Sequence, residues 1–84
     1  MYSKRVWLNK NDSPSTGNMV AFDGDIQWRD ETVRSTFLQI SDCGVSARLH
    51  KADNDKIEDF IDKIELLKNE VQLFIDYLKK EYEK

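Results

Sequence analysis

Apolar residues recur along the last third of the chain at alternating steps of three and four. Ile57, Phe60, Ile64, Leu67, Val71, Phe74 and Leu78 make a single helical stripe, and Asp53 to Lys84 contains no Gly and no Pro. The spacing predicts one long C-terminal helix over 53–84. Asp55 is placed to cap its start, with Glu58 three residues on at the capping-box spacing. Asp59 and Asp62 suit the positive end of the helix dipole, and Lys79, Lys80 and Lys84 suit the negative end.

Before the helix the period changes from 3.6 to 2. Ser3 to Asn9 alternates, with Val6 and Leu8 on one side and Arg5 and Trp7 on the other. Polar residues from Lys10 to Asn18, with the single proline Pro14, read as a loop. Met19–Phe22 and Asp25–Trp28 flank Asp23-Gly24, a dipeptide that favours a tight hairpin turn. Val33 to Ser41 reads as a further strand whose alternation slips at Phe37-Leu38, where a bulge is expected. Asp42-Cys43-Gly44 reads as a turn, and Val45 to Lys51 alternates cleanly.

These elements predict an α+β fold: a small antiparallel β-meander of four to five strands over 1–51, packed on the C-terminal helix, in one domain. The sheet face expected against the helix carries Val6, Leu8, Val20, Phe22, Ile26, Trp28, Val45, Ala47 and Leu49.

The helix is expected to outreach that sheet. About 29 residues make a rod of roughly 43 Å, whereas a typical strand spans only ~17–20 Å. The apolar arc is also wide, because Leu66, Leu73 and Tyr77 form a second group beside the main stripe. Such an arc exceeds the ~100° needed to lie on one core. A second copy of the chain is the expected cover, in a dimer or higher oligomer, with Leu66, Leu73, Phe74, Tyr77 and Leu78 at the contact.

Composition narrows the function without naming it. The chain has 84 residues and a net charge of −3. Residues 1–51 hold seven Lys/Arg against six Asp/Glu, and residues 52–84 hold six against ten. No basic excess of the kind that binds duplex DNA is present. One cysteine excludes an internal disulfide, and one Cys with one His is too little for a closed zinc site. The N-terminus lacks the apolar run of a signal peptide, and nothing approaches a membrane span, so a cytoplasmic protein is expected.

Candidate chemistry is sparse. Cys43 and His50 are the one nucleophile and neutral-pH base, with no spacing that pairs them. Asp23 and Asp25 are more simply turn residues than metal ligands. No catalytic residue, metal or cofactor is expected. The notable set is Arg5, Trp7, Gln27, Arg29, Arg34, Arg48 and His50, which alternation places on the sheet face away from the helix. Guanidinium groups fork onto phosphate and an indole stacks on bases. Arg5, Trp7, Arg29, Arg34, Arg48 and His50 are therefore the candidate ligand-binding residues.

In size, acidity and single-domain layout the chain resembles small phage-encoded accessory proteins, among them inhibitors and nucleotide sponges of bacterial defence. That resemblance implies a non-catalytic protein that binds and blocks a protein partner. The alternative is a sponge that sequesters a nucleotide or other phosphorylated small ligand on the Arg/Trp face or between subunits.

Overall fold

The longest ladder in the molecule joins two strands that the sequence divides into three. In the computed structural model, which describes residues 1–82, β1 (Tyr2–Trp7), β2 (Asn18–Trp28), β3 (Glu31–Asp42) and β4 (Val45–His50) precede one helix, α1 (Ile57–Tyr82). The sheet has the order β1-β2-β3-β4, with every neighbour antiparallel. The fold is α+β: a four-stranded meander followed by a long C-terminal helix. Met1–Ala52 and Asp53–Lys84 are two units.

The Asp23-Gly24 hairpin is not formed. β2 runs straight through it, with Asp23 opposite Thr36 and Gly24 opposite Ser35. Val20, Phe22, Gly24, Ile26 and Trp28 keep one unbroken parity, so the strand loses no alternation by continuing. A two-residue turn at 23–24 would instead have cut that row. Gly24 is buried and serves a close approach. A Cβ there would stand 2.7 Å from Cγ of Met1 and 3.2 Å from the ring of Phe22.

The chain turns at Arg29-Asp30, between the paired Trp28 and Glu31. Arg29 has φ 59°, and positive φ at the first turn position alone is the sign pattern of a type II′ turn. A side chain in that region costs about 1–2 kcal/mol. The β3–β4 turn reads as predicted: Cys43 at φ 52° and Gly44 at φ 79° give the two positive angles of a type I′ turn.

No bulge interrupts β3. Its pairing with β2 is continuous from Ser41 to Glu31. Phe37 and Leu38 are both apolar because both faces of the sheet carry apolar residues here. Phe37 stacks on Phe22 at 5.5 Å between ring centroids, and Leu38 lies in register with Ala21 and Leu49 on the other face.

The edge strands are short. β1 pairs only with Asn18–Asp23 of β2, and β4 only with Phe37–Asp42 of β3. One further bond, from Lys51 N–H to Thr36 O at 3.0 Å, prolongs the β4 side. The rest of β2 and β3, toward Arg29-Asp30, is a two-stranded ribbon.

α1 is 26 residues long, or ~39 Å at 1.5 Å per residue. Its last turn carries Lys79 and Lys80 as expected, while Lys84 lies outside the described residues. Among the described residues no helix is long and apolar enough to cross a membrane. The cap lies one residue later than the Asp55–Glu58 pairing predicts. Asp53-Asn54 form a turn and Asp55 a bend before the helix, so Lys56 takes the cap position. Its carbonyl accepts from Asp59 N–H at 3.1 Å, and its own N–H donates to the Asp59 carboxylate at 3.2 Å. This is half of a capping box, because lysine has no side-chain acceptor to return the bond.

Replacing Lys56 by Ser supplies the missing oxygen. Lys56→Ser is expected to stabilise α1 by about 1 kcal/mol. Urea titration followed by helical circular dichroism checks this through a raised midpoint at unchanged slope.

Candidate functional site

Register decides which of the predicted binding residues share a face. Arg5 pairs with Val20, Val20 with Gln39, and Gln39 with Arg48, which makes one cross-strand row. The next row runs Ser3, Phe22, Phe37, His50, and the row on the other side begins Trp7, Asn18, Ser41. Arg5, Trp7, Arg48 and His50 are thus brought onto one face. Arg34 and Gln27 are not: they alternate onto the opposite face, and Arg29 sits in the turn. The apolar set divides in the same way. Val20, Phe22, Ile26 and Trp28 share the arginine face, whereas Val6, Val45, Ala47 and Leu49 lie on the other with Met19, Ala21, Leu38 and Ile40. The physical reason is that Val6 pairs with Met19, not with Val20.

The arginine face is built around an aromatic pair. Phe22 and Phe37 stack with an interplanar angle of 21°. The guanidinium of Arg48 lies over the Phe37 ring, 4.0 Å from its centroid. Its Nε donates to Oε1 of Gln39 at 2.9 Å. The ring contact and the Nε hydrogen bond hold the guanidinium over Phe37, and neither uses its two terminal nitrogens. Arg5 occupies the same row at the opposite edge, three strand spacings or roughly 14 Å away. Trp7 and His50 are exposed at the two edges. Phe22, Phe37 and Gln39 were not among the predicted site residues. Their odd–even signal is plain in each strand, but only the register links them to Arg48.

Arg34 is engaged elsewhere. Its Nε donates to Asp23 Oδ1 at 3.0 Å, its Nη2 bonds the other carboxylate oxygen, and Thr36 Oγ1 donates to Asp23 Oδ1 at 2.6 Å. The Arg34 and Thr36 hydrogen bonds hold the Asp23 carboxyl well below the usual carboxylate range. This cluster marks the point where the four-stranded sheet gives way to the ribbon. Arg29, in the turn, reaches to 6.0 Å from the Trp28 ring.

Cys43 lies in the β3–β4 turn and His50 at the far end of β4, a strand length of roughly 17 Å away. The neighbouring Asp42 carboxylate accepts from the thiol at 3.4 Å and pushes its pKa up, away from the reactive thiolate. Among the described residues no three His, Cys, Asp or Glu side chains converge on a metal position.

The second candidate surface is α1. Leu66 and Leu73 are 62% exposed, Phe74 61%, Tyr77 57% and Leu78 36%. Phe60 is the buried apolar residue of the helix, and Ile64 and Leu67 are half-buried. Comparison with protein-family models, with curated proteins and with solved structures finds no match.

Asp23 gives the sheet a pH dependence of fixed sign. Its folded pKa is depressed, so its stabilising contribution is present above the ordinary carboxylate value of ~4 and is lost as pH falls through the folded value. Thermal melts of the wild type are expected to lose stability progressively below pH ~4. Asp23→Asn is expected to be less stable at pH 7 and to lose less on acidification.

Proposed function

We propose that the chain is a non-catalytic, self-associating binding protein that acts by occupying and blocking a surface of another protein. The observation that carries this reading is the exposure of Leu66, Leu73, Phe74, Tyr77 and Leu78 on one 26-residue helix. These side chains are 36–62% exposed, so covering what remains of them is worth roughly 4–8 kcal/mol, comparable to the stability of a small domain. A second copy supplies that cover most economically, because each helix then shelters the other.

The partner-facing surface in this reading is the arginine face of the sheet. Arg and Trp are the residue types that most often dominate binding energy at interfaces. Arg5, Trp7 and Arg48 offer a cationic, aromatic surface suited to an acidic patch on the target. On the resemblance in size and acidity to small phage-encoded accessory proteins, this reading makes the chain a cytoplasmic inhibitor of a host defence protein.

A second reading rests on Arg48. A guanidinium stacked on Phe37 and steered by Gln39 is poised for a phosphorylated small molecule, which would make the protein a sponge.

Native mass spectrometry of the purified protein tests both. The expected species is a dimer or larger assembly of the 9.9 kDa chain, reduced to monomer by Leu73→Glu or Phe74→Glu. A co-purifying anion that disappears in Arg48→Ala would favour the sponge. A wild-type monomer at micromolar concentration would sink the self-associating reading.

A further inference from the structure

Three exposed apolar residues of α1 share an arc turned away from Phe60, Ile64 and Leu67, the residues of the helix that are buried or half-buried. Leu66 and Leu73 are 62% exposed and Tyr77 57%. At the helical period they fall within about 40° of one another. Asp59 and Asp62 continue the arc toward the N-terminus, Lys80 continues it toward the C-terminus, and Asn69 and Glu70 lie at its middle. All of these are exposed, and Phe74 borders them.

The arc is complementary to its own reverse. About a centre between Asn69 and Glu70, Asp59 answers Lys80, Asp62 answers Tyr77 and Leu66 answers Leu73. In a parallel, in-register pair each of these residues would meet its own copy. Asp59, Asp62, Glu70 and Lys80 would then give like-charge contacts, and the two helix dipoles would be aligned. In an antiparallel pair crossing at that centre, the Lys80 ammonium stands level with the Asp59 carboxylate of the other copy. The Tyr77 hydroxyl faces Asp62, the Asn69 amide faces Glu70, and Leu66 packs on Leu73, each contact occurring twice. The cap leaves room for this: Lys56 N–H uses Oδ2 of Asp59, and Oδ1 is left for Lys80. The ion pairs among the described residues involve Arg34, Asp23 and Asp25, so the arrangement breaks none of them.

We infer that α1 pairs antiparallel with α1 of a second copy through the Leu66, Leu73 and Tyr77 arc, with Leu66 of each copy against Leu73 of the other. This inference rests on the self-association reading, and its test separates the two. Leu66→Glu and Leu73→Lys each set a charge against a leucine of the other copy. Each is expected to raise the dimer Kd roughly ten-fold or more in sedimentation equilibrium. Both new side chains are good helix formers at exposed positions, and helical circular dichroism is expected to be unchanged. The double variant regains most of the lost affinity, because the new carboxylate and the new ammonium stand opposite each other across the pair. In a parallel pair the double variant compounds the two losses.

Cross-linking reads the same geometry. Leu66→Cys and Leu73→Cys chains, each in a Cys43→Ser background, are mixed in equal amounts, oxidised and peptide-mapped. The expected product is the mixed disulfide between positions 66 and 73, which needs the two backbones within the short span that a disulfide bridges. Disulfides joining 66 to 66 and 73 to 73, or a double variant weaker than both singles, overturn the antiparallel arrangement and leave self-association standing. A dimer that gives neither kind of cross-link places the contact elsewhere on the chain and also overturns the inference alone. A wild-type monomer throughout the dilution series overturns the two together.

Discussion

The register between β2 and β3 is the constraint on which the sheet depends. Eleven consecutive residue pairs, Asn18–Ser41 through Trp28–Glu31, fix which side chains share a face. A shift of one residue would exchange the two faces entirely. That ladder stacks Phe22 on Phe37, sets Val20 beside Gln39, and brings Thr36 and Arg34 to Asp23 from the neighbouring strand. The short edge strands then add their residues to rows already laid down. Arg5 and His50 come to one face because Val20 and Phe37 are there first.

The two halves of the chain stabilise themselves differently. In the sheet unit the apolar residues are divided between two faces, with none fully enclosed, some half-buried and the others exposed. Polar groups there are held by specific bonds: Asp23 by Arg34 and Thr36, Gln39 by Arg48. The helix unit has little of this. Its polar contacts are the Lys56–Asp59 cap and a Gln72–Asp76 bond at 2.9 Å, and its apolar content is displayed along nearly its whole length. A segment with good local helix signals and an unsatisfied apolar surface is what an association element requires.

The sequence reads well wherever a signal is local and repeated. The 3-4 spacing from Ile57 to Leu78 located α1 to within a few residues, and alternation from Val45 to His50 located β4. It reads poorly where two local signals compete. Asp23-Gly24 has the composition of a tight turn, yet the even parity from Val20 to Trp28 continues across it, and the longer ladder prevails over the dipeptide. Acids at 55, 58, 59 and 62 offer several cap arrangements, and the preceding turn at Asp53-Asn54 selects Lys56. The candidate site was half legible. Arg5, Trp7, Arg48 and His50 do share a face, but Arg34 does not, because parity within a strand says nothing about parity between strands until the turn is placed.

The two-stranded end of the β2–β3 hairpin has a consequence for how the protein breathes. Beyond the reach of β1 and β4 each strand has one neighbour, and two strands alone are barely stable in water. Fraying therefore begins at the strained Arg29 corner and travels inward, exposing amides to hydrogen exchange while the four-stranded part stays shut. The Asp23–Arg34–Thr36 cluster lies where that unzipping reaches the third and fourth strands. Its hydrogen bonds tie Asp23 of β2 to Arg34 and Thr36 of β3 at that boundary.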